Sequence, residues 1–283
     1  MIYFIGAGPG AKDLITVRGA QVLGTVDCII YAGSLVNAEL LEYAKASCEI
    51  YDSASMTLEE VVEAMCKTEA LGLDTARLHT GDPSLYGAIQ EQIDILREKG
   101  IAFQIIPGVS AFSAAAAALE AEYTLPGISQ SLILTRTAGR TPVPEKEGIS
   151  AFASHQTSMA LFLSAGMLDK LSEELLEGGY PPETPAAIVY KASWPDEKAV
   201  RTTLAGLAAE GRANNIGSTA MVLVGAFLDS DYQRSKLYDP SFSHGFRQGT
   251  GQAADAQGTG QAADAQGTGQ AADAQGDVAS SAT

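Results

Sequence analysis

Short apolar runs alternate with helix-patterned stretches along the first 122 residues, and that alternation admits few architectures. Residues 2–5, 27–31, 48–51, 76–79 and 102–106 read as strands. Between them 16–24, 37–46, 57–72 and 84–99 read as helices, the third opened by Ser55 or Thr57 as a cap. Strand-helix-strand repetition of this kind builds a largely parallel sheet, so the fold class is α/β.

Two of the strand ends run into glycine-bearing loops, Gly6-Ala7-Gly8-Pro9-Gly10 and Thr80-Gly81-Asp82-Pro83-Ser84-Leu85-Tyr86-Gly87. Both loops fall at carboxyl ends of strands, where open α/β sheets bind ligands. Glycine there lets backbone approach a ligand and accepts positive φ. The pair marks one nucleotide-type site, but not a dinucleotide fingerprint. Pro9 removes a backbone donor from the first loop, the spacing is not G-x-G-x-x-G, and the second strand has its acid at the start, Asp27, rather than at the end.

After Pro107-Gly108, Val109-Ser110-Ala111-Phe112 begins an alanine-rich helix whose five-alanine run, 114–118, permits close packing. Residues 123–130 read as a linker. Strand-like runs at 131–135, 159–163, 186–190 and 221–224, with helical patterns at 169–177 and 204–212, then describe a second α/β domain. The expected division is 1–122, 123–240 and a disordered tail at 241–283, with the site in the cleft between the two domains. The last 35 residues carry the nonapeptide Gly-Thr-Gly-Gln-Ala-Ala-Asp-Ala-Gln three times, from Gly249, Gly258 and Gly267. The repeat has no aromatic, branched aliphatic or basic residue and so cannot offset its ordering entropy.

A net charge of −16 argues against a phosphate backbone as partner. Cys28, Cys48 and Cys66 are odd in number and widely spaced, with no C-x-x-C, so reduced thiols in a cytoplasmic protein are expected and no metal site is. No stretch approaches the ~20 apolar residues of a membrane span.

The order G-A-G-P-G-x3-L-I-T-x-R-G, then G-D-P-x3-Y-G, then I-P-G-V-S-A-F, resembles the tetrapyrrole methyltransferases over residues 1 to roughly 240. Within that family, the segments from Thr135 to Glu145 and from Ser154 to Ser164 resemble the branch that methylates C-11 of precorrin-4 or its cobalt complex. The resemblance implies S-adenosylmethionine as methyl donor, a homodimer, and a cofactor site at Pro9, Thr80, Gly81, Asp82, Leu85, Ser110 and Ala111, with further contacts near Ser164 and Ala192. Relatives often carry methionine at the place of Ser164, which leaves that contact to the backbone.

Chemistry supports part of this. S-adenosylmethionine offers ribose hydroxyls, an ammonium, a carboxylate and adenine, and Asp82 fits as an acceptor. The same Asp82 reads equally as the cap of a helix starting at Ser84. Leu85 and Tyr86 are either core or site, and His79 reads as a buried, satisfied histidine. A sulfonium methyl needs an in-line neighbour more than a catalytic side chain, so no catalytic residue is assigned beyond His155 as a candidate facing the substrate. Arg136 and Arg140 lie in a Thr/Gly/Pro-rich loop after a strand and suit substrate carboxylates, since guanidinium forks bind them with paired hydrogen bonds. Surface ion pairs with Glu145 and Glu147 are the plainer reading of the same residues. A sister tetrapyrrole carbon methyltransferase, an RNA ribose methyltransferase of the same fold and a non-catalytic S-adenosylmethionine or nucleotide binder stay open.

Overall fold

The computed structural model of the protein describes residues 1–33, 35–229 and 231–250. The repeat tail from residue 251 lies outside the described residues. Contacts divide the chain into Met1–Arg234, which holds both sheets, and Ser235–Thr283.

The first sheet contains β1 (Ile2–Gly6), β2 (Cys28–Tyr31), β3 (Glu49–Asp52), β4 (Thr75–His79) and β5 (Phe103–Ile106), ordered β3-β2-β4-β1-β5 and parallel throughout. Four helices accompany it: α1 (Val17–Leu23), α2 (Leu58–Ala70), α3 (Gln90–Glu98) and α4 (Ala111–Ala118). Thr16 caps α1 by accepting from the Gly19 N–H, and Thr57 with Glu60 forms a capping box on α2. Residues 38–43, expected as a helix, form a 3-10 turn capped by Asn37.

The apolar alternation of β1 explains the layering. Ile5 faces one core with Leu23, Ile29 and Leu40, while Ile2 and Phe4 face the other with Val61, Met65, Ile93 and Leu96. The chain leaves β1 toward β2 and β3 but leaves β4 in the opposite direction toward β5. The strand order therefore reverses between the neighbours β1 and β4, which is where a doubly wound sheet opens a crevice.

The second sheet, β6 (Leu132–Arg136), β7 (Ser158–Phe162), β8 (Pro185–Tyr190), β9 (Lys198–Thr203) and β10 (Ala220–Val224), has the order β6-β7-β10-β8-β9. Only β6 and β7 run parallel; the other pairs are antiparallel. Its helices α5 (Ile149–Ala153), α6 (Leu168–Glu177) and α7 (Leu207–Ala213) bury one face through Leu168, Leu171, Leu175 and Leu207. The opposite face is covered by α4, whose Ala114, Ala115 and Ala116 pack with Ala160, Ala187, Val189 and Leu223. Small side chains on both surfaces allow that close approach, so α4 follows the first sheet in sequence but belongs to the core of the second.

In the unit from Ser235, a 3-10 turn covers Lys236–Tyr238 and a bridge joins His244 to Arg247, whose guanidinium donates to the carbonyls of Leu237, Asp239 and Phe242. Residues 241–250, expected as part of a disordered tail, thus carry turn structure. Among the described residues no helix is long and apolar enough to cross a membrane.

Candidate active site

Three loops meet at the crossing of β1, β4 and β5. Gly8 and Gly81 pair both ways, Gly8 N to Gly81 O at 3.2 Å and Gly81 N to Gly8 O at 2.8 Å, and Ala7 N donates to His79 O at 2.8 Å. Gly8 and Gly81 sit at φ +81° and +62°, which L side chains rarely adopt. Gly108 approaches so closely that a Cβ there would lie 2.2 Å from Gly81 O and 2.7 Å from Gly6 Cα. The glycines of these motifs therefore serve loop against loop as much as loop against ligand.

Asp82 fastens the same junction. One carboxylate oxygen accepts from Gly108 N at 2.8 Å, and the other accepts from Ser84 N at 2.9 Å and from the Ser84 hydroxyl. Burial pushes the Asp82 carboxyl up, but these hydrogen bonds outweigh it and hold the group below the ordinary carboxylate range. No helix starts at Ser84: Tyr86 and Ala88 adopt φ +57° and +49°, and α3 begins only at Gln90. Asp82 is consequently a tie between loops rather than a helix cap. Asp82→Ala should lower the unfolding free energy by about 1–3 kcal/mol, the cost of leaving such donors unmet. Asp82→Asn, which keeps an acceptor, should recover part of that loss. A chemical denaturation series separates the two.

Beside the junction lies a cavity of about 420 Å³ whose walls come from both sheets. Pro9, Leu35, Thr80 and Ala111 line it from the first. Phe162, Leu163, Ala165, Gly166, Val189, Lys191, Ala192, Trp194 and Gly217–Met221 line it from the second. Four of the anticipated residues, Pro9, Thr80, Ala111 and Ala192, thus share one wall-lined space. Gly81, Asp82 and Ser110 stand directly behind it in the loop junction, and Leu85 is half-buried with its N–H bonded to Asp82 O. Ser164 is fully buried; its hydroxyl accepts from Thr137 N and donates to Phe162 O, so it shapes the wall without lining it.

The two halves are locked at one corner by contacts that no sequence motif signals. Trp194 Nε1 donates to Pro9 O at 3.0 Å and Ala11 N donates to Ser193 Oγ at 3.0 Å. Lys191 holds Asp196 at 2.7 Å and lies 5.6 Å from the centroid of the Trp194 ring. Lys191, Ser193, Leu163 and Thr219 all have positive φ, so the cavity wall concentrates backbone conformations that non-glycine residues adopt only under constraint.

Arg136 ends β6 opposite Phe162, at the cavity end of the sheet. Its guanidinium donates to the carbonyls of Thr137, Thr141 and Pro142, bracing the loop that carries Arg140. Arg140 is exposed, and neither arginine has a carboxylate within salt-bridge distance among the described residues. His155 lies elsewhere. It lines a separate hollow with Ser129, Gln130 and Thr157 at the start of β7, the opposite end of the strands from Arg136. The structure does not bring it together with the other anticipated residues.

A cavity built from loops at a strand-order reversal, closed by a second mixed sheet, defines a two-sheet α/β small-molecule enzyme architecture. The chain belongs to the tetrapyrrole (corrin/porphyrin) methylases, whose family model matches residues 1–208. It is 52% identical over 248 residues to a cobalt-precorrin-4 C(11)-methyltransferase of Methanocaldococcus jannaschii, covering 87% of this chain and 96% of that protein. A precorrin-4 C(11)-methyltransferase of a Sinorhizobium species is 47% identical over 248 residues, covering 87% and 98%. Among solved structures, a cobalt-precorrin-4 methyltransferase superposes with a TM-score of 0.79 at 47% identity, covering 81% of this chain and 96% of the other.

Proposed function

We propose that the protein transfers a methyl group from S-adenosylmethionine to C-11 of precorrin-4 or cobalt-precorrin-4 in cobalamin synthesis. The observation that carries the reading is the convergence of the glycine loops on a cavity shared by both sheets, in a chain whose relatives of 47–52% identity bear that activity.

The residues present fit the cofactor. The cavity lies within the size range of small-molecule sites, and its walls are mostly apolar side chains interrupted by the polar groups of Thr80, Lys191, Ser218 and Thr219. Bound S-adenosylmethionine supplies an electrophilic sulfonium methyl, which requires an aligned acceptor rather than a metal or a covalent nucleophile. The chain's contribution is positional. Asp82 and the Gly6, Gly81 and Gly108 contacts fix the loops, Trp194 and Ser193 fix the opposite wall, and the Arg136-braced loop presents the Arg140 fork to a substrate carboxylate. A homodimer and a cytoplasmic location complete the proposal on family resemblance.

S-adenosylhomocysteine should stabilise the purified protein by mass action, about 2.7 kcal/mol at a hundred times its Kd, whereas NAD should not. Incubation with labelled S-adenosylmethionine and a panel of tetrapyrroles, followed by NMR of the product, identifies the methylated carbon. A methyl group on a carbon other than C-11 would replace the proposal with a sister activity.

A further inference from the structure

Phe162 in the cavity wall pairs with a second aromatic ring, Tyr86, that the cofactor reading leaves without a role. Tyr86 sits at φ +57° with its side chain outward, and the residue is 46% exposed. Its ring meets Phe162 with centroids 5.1 Å apart and planes inclined by 50°. Phe162 comes from the other sheet and, with Leu163, lines the cavity. Leu163 is 65% exposed and also at positive φ.

Core packing does not account for this arrangement. A left-handed tyrosine costs roughly 1–2 kcal/mol over glycine, and a half-exposed ring recovers little of that by burial. The Tyr86 hydroxyl has no hydrogen-bond partner in the protein among the described residues, so a polar tether does not fix it either. Strained, exposed aromatic residues persist where the surroundings hold them for a ligand. The surroundings here are informative. Arg136 and Glu147 lie close enough to act electrostatically on the phenol, which places Tyr86 beside the loop that carries Arg140 and Lys146. Leu35, at the same cavity, is a further exposed apolar side chain. An apolar and aromatic surface within electrostatic reach of the Arg136 guanidinium and the Glu147 carboxylate matches a ligand with a broad π-face and charged groups around its edge.

We propose that Tyr86, backed by Phe162, is the platform on which the conjugated face of the tetrapyrrole stacks, and that it is a specificity-determining residue for that substrate. The inference rests on the tetrapyrrole reading above. Aromatic rings present large contact area at low entropic cost and orient flat partners through their quadrupole. Because the pair joins a loop of the first sheet to the end of β7 in the second, a stacked ring would also hold the acceptor carbon over the shared cavity.

Trp194, the chain's one tryptophan, stands in the cavity wall and reports binding by quenching. Uroporphyrin III, a stable carboxylate-bearing tetrapyrrole, and S-adenosylhomocysteine are titrated separately into wild type, Tyr86→Phe, Tyr86→Leu and Tyr86→Gly. Tyr86→Phe should retain uroporphyrin affinity. Tyr86→Leu and Tyr86→Gly should each lose roughly tenfold, the scale of one aromatic stacking contact. S-adenosylhomocysteine affinity should not change, and Tyr86→Gly should melt no lower than wild type because it relieves the positive φ. Unchanged uroporphyrin affinity in the leucine and glycine variants would overturn the platform while leaving the methyltransferase reading intact. Parallel loss of S-adenosylhomocysteine binding would overturn it by placing Tyr86 in the cofactor site. A wild-type protein that binds no tetrapyrrole at all would overturn both readings together.

Discussion

Gly108→Ala should abolish most of the cofactor affinity of this protein, on the order of a hundredfold or more, although the change adds one methyl group. The added carbon would lie 2.2 Å from Gly81 O and 2.7 Å from Gly6 Cα, distances no Cβ tolerates. Nothing there is a flexible side-chain tip that could swing away; all the neighbours are backbone. The loops after β1, β4 and β5 must separate by an ångström or so, and misplacement of that size at a positioning site is felt at roughly the hundredfold level. Overpacking should also cost about 1–3 kcal/mol of stability. Gly24→Ala is the matching control. Its Cβ would meet nothing closer than 3.5 Å, and the residue already has helical geometry at the end of α1. Calorimetric titration of S-adenosylhomocysteine into both variants decides the matter. Equal affinities would mean that the three-loop junction does not shape the site.

The parallel first sheet is legible in the sequence because each strand is a short apolar run and each loop carries its own punctuation. The glycine loops are legible because close approach leaves a compositional mark. The conformation of the segment after Asp82 is not. Ser84-Leu85-Tyr86-Gly87-Ala88-Ile89 has ordinary helical composition, yet the chain turns left-handed at Tyr86 and Ala88. Tertiary partners decide this: Gly108 N holds the Asp82 carboxylate, and Tyr86 reaches Phe162 in the other sheet. Local propensity is a weak prior against such contacts.

Strand β9 is hidden for a different reason. Lys198–Thr203 is a sheet-edge strand with charged and half-exposed residues, so it lacks the apolar signature of its neighbours. The lock of Trp194 on Pro9 spans 185 residues of sequence, and nothing local to either residue announces the other. The lone tryptophan beside Lys191 is the available signal. Ser164 shows the reverse case. Resemblance alone puts it near the cofactor, and the structure gives its hydroxyl to Thr137 N and Phe162 O, a use that composition does not disclose.

Acidification should destabilise the fold through His79. The ring is 5% exposed, Nε2 has no hydrogen-bond partner, and burial together with the neighbouring Arg77 charge lowers its pKa to about 3 despite a hydrogen bond to the Gly87 backbone. Arg77 itself is buried, held by Gln92 Oε1 and by the carbonyls of Ile30 and Leu78, with its own pKa pushed down to about 10 by desolvation. A proton added at Nε2 would have no acceptor and would sit beside the Arg77 charge. The folded state therefore keeps His79 neutral while the unfolded chain protonates it near the ordinary value of about 6.5. Between those two values the unfolded state binds more protons, so stability falls as pH falls, by about 2 kcal/mol at pH 5 relative to pH 7. The full contribution is present above pH 6.5 and is gone once the pH approaches 3. His79→Leu should remove this component and flatten the difference in denaturation midpoint between pH 7 and pH 5, leaving only the carboxylate-driven loss at lower pH. Because the folded ring stays neutral down to about pH 3, the folded wild type should keep its S-adenosylhomocysteine affinity between pH 7 and pH 5 while its stability falls. Identical pH profiles for wild type and His79→Leu would show that the histidine is not the titrating group.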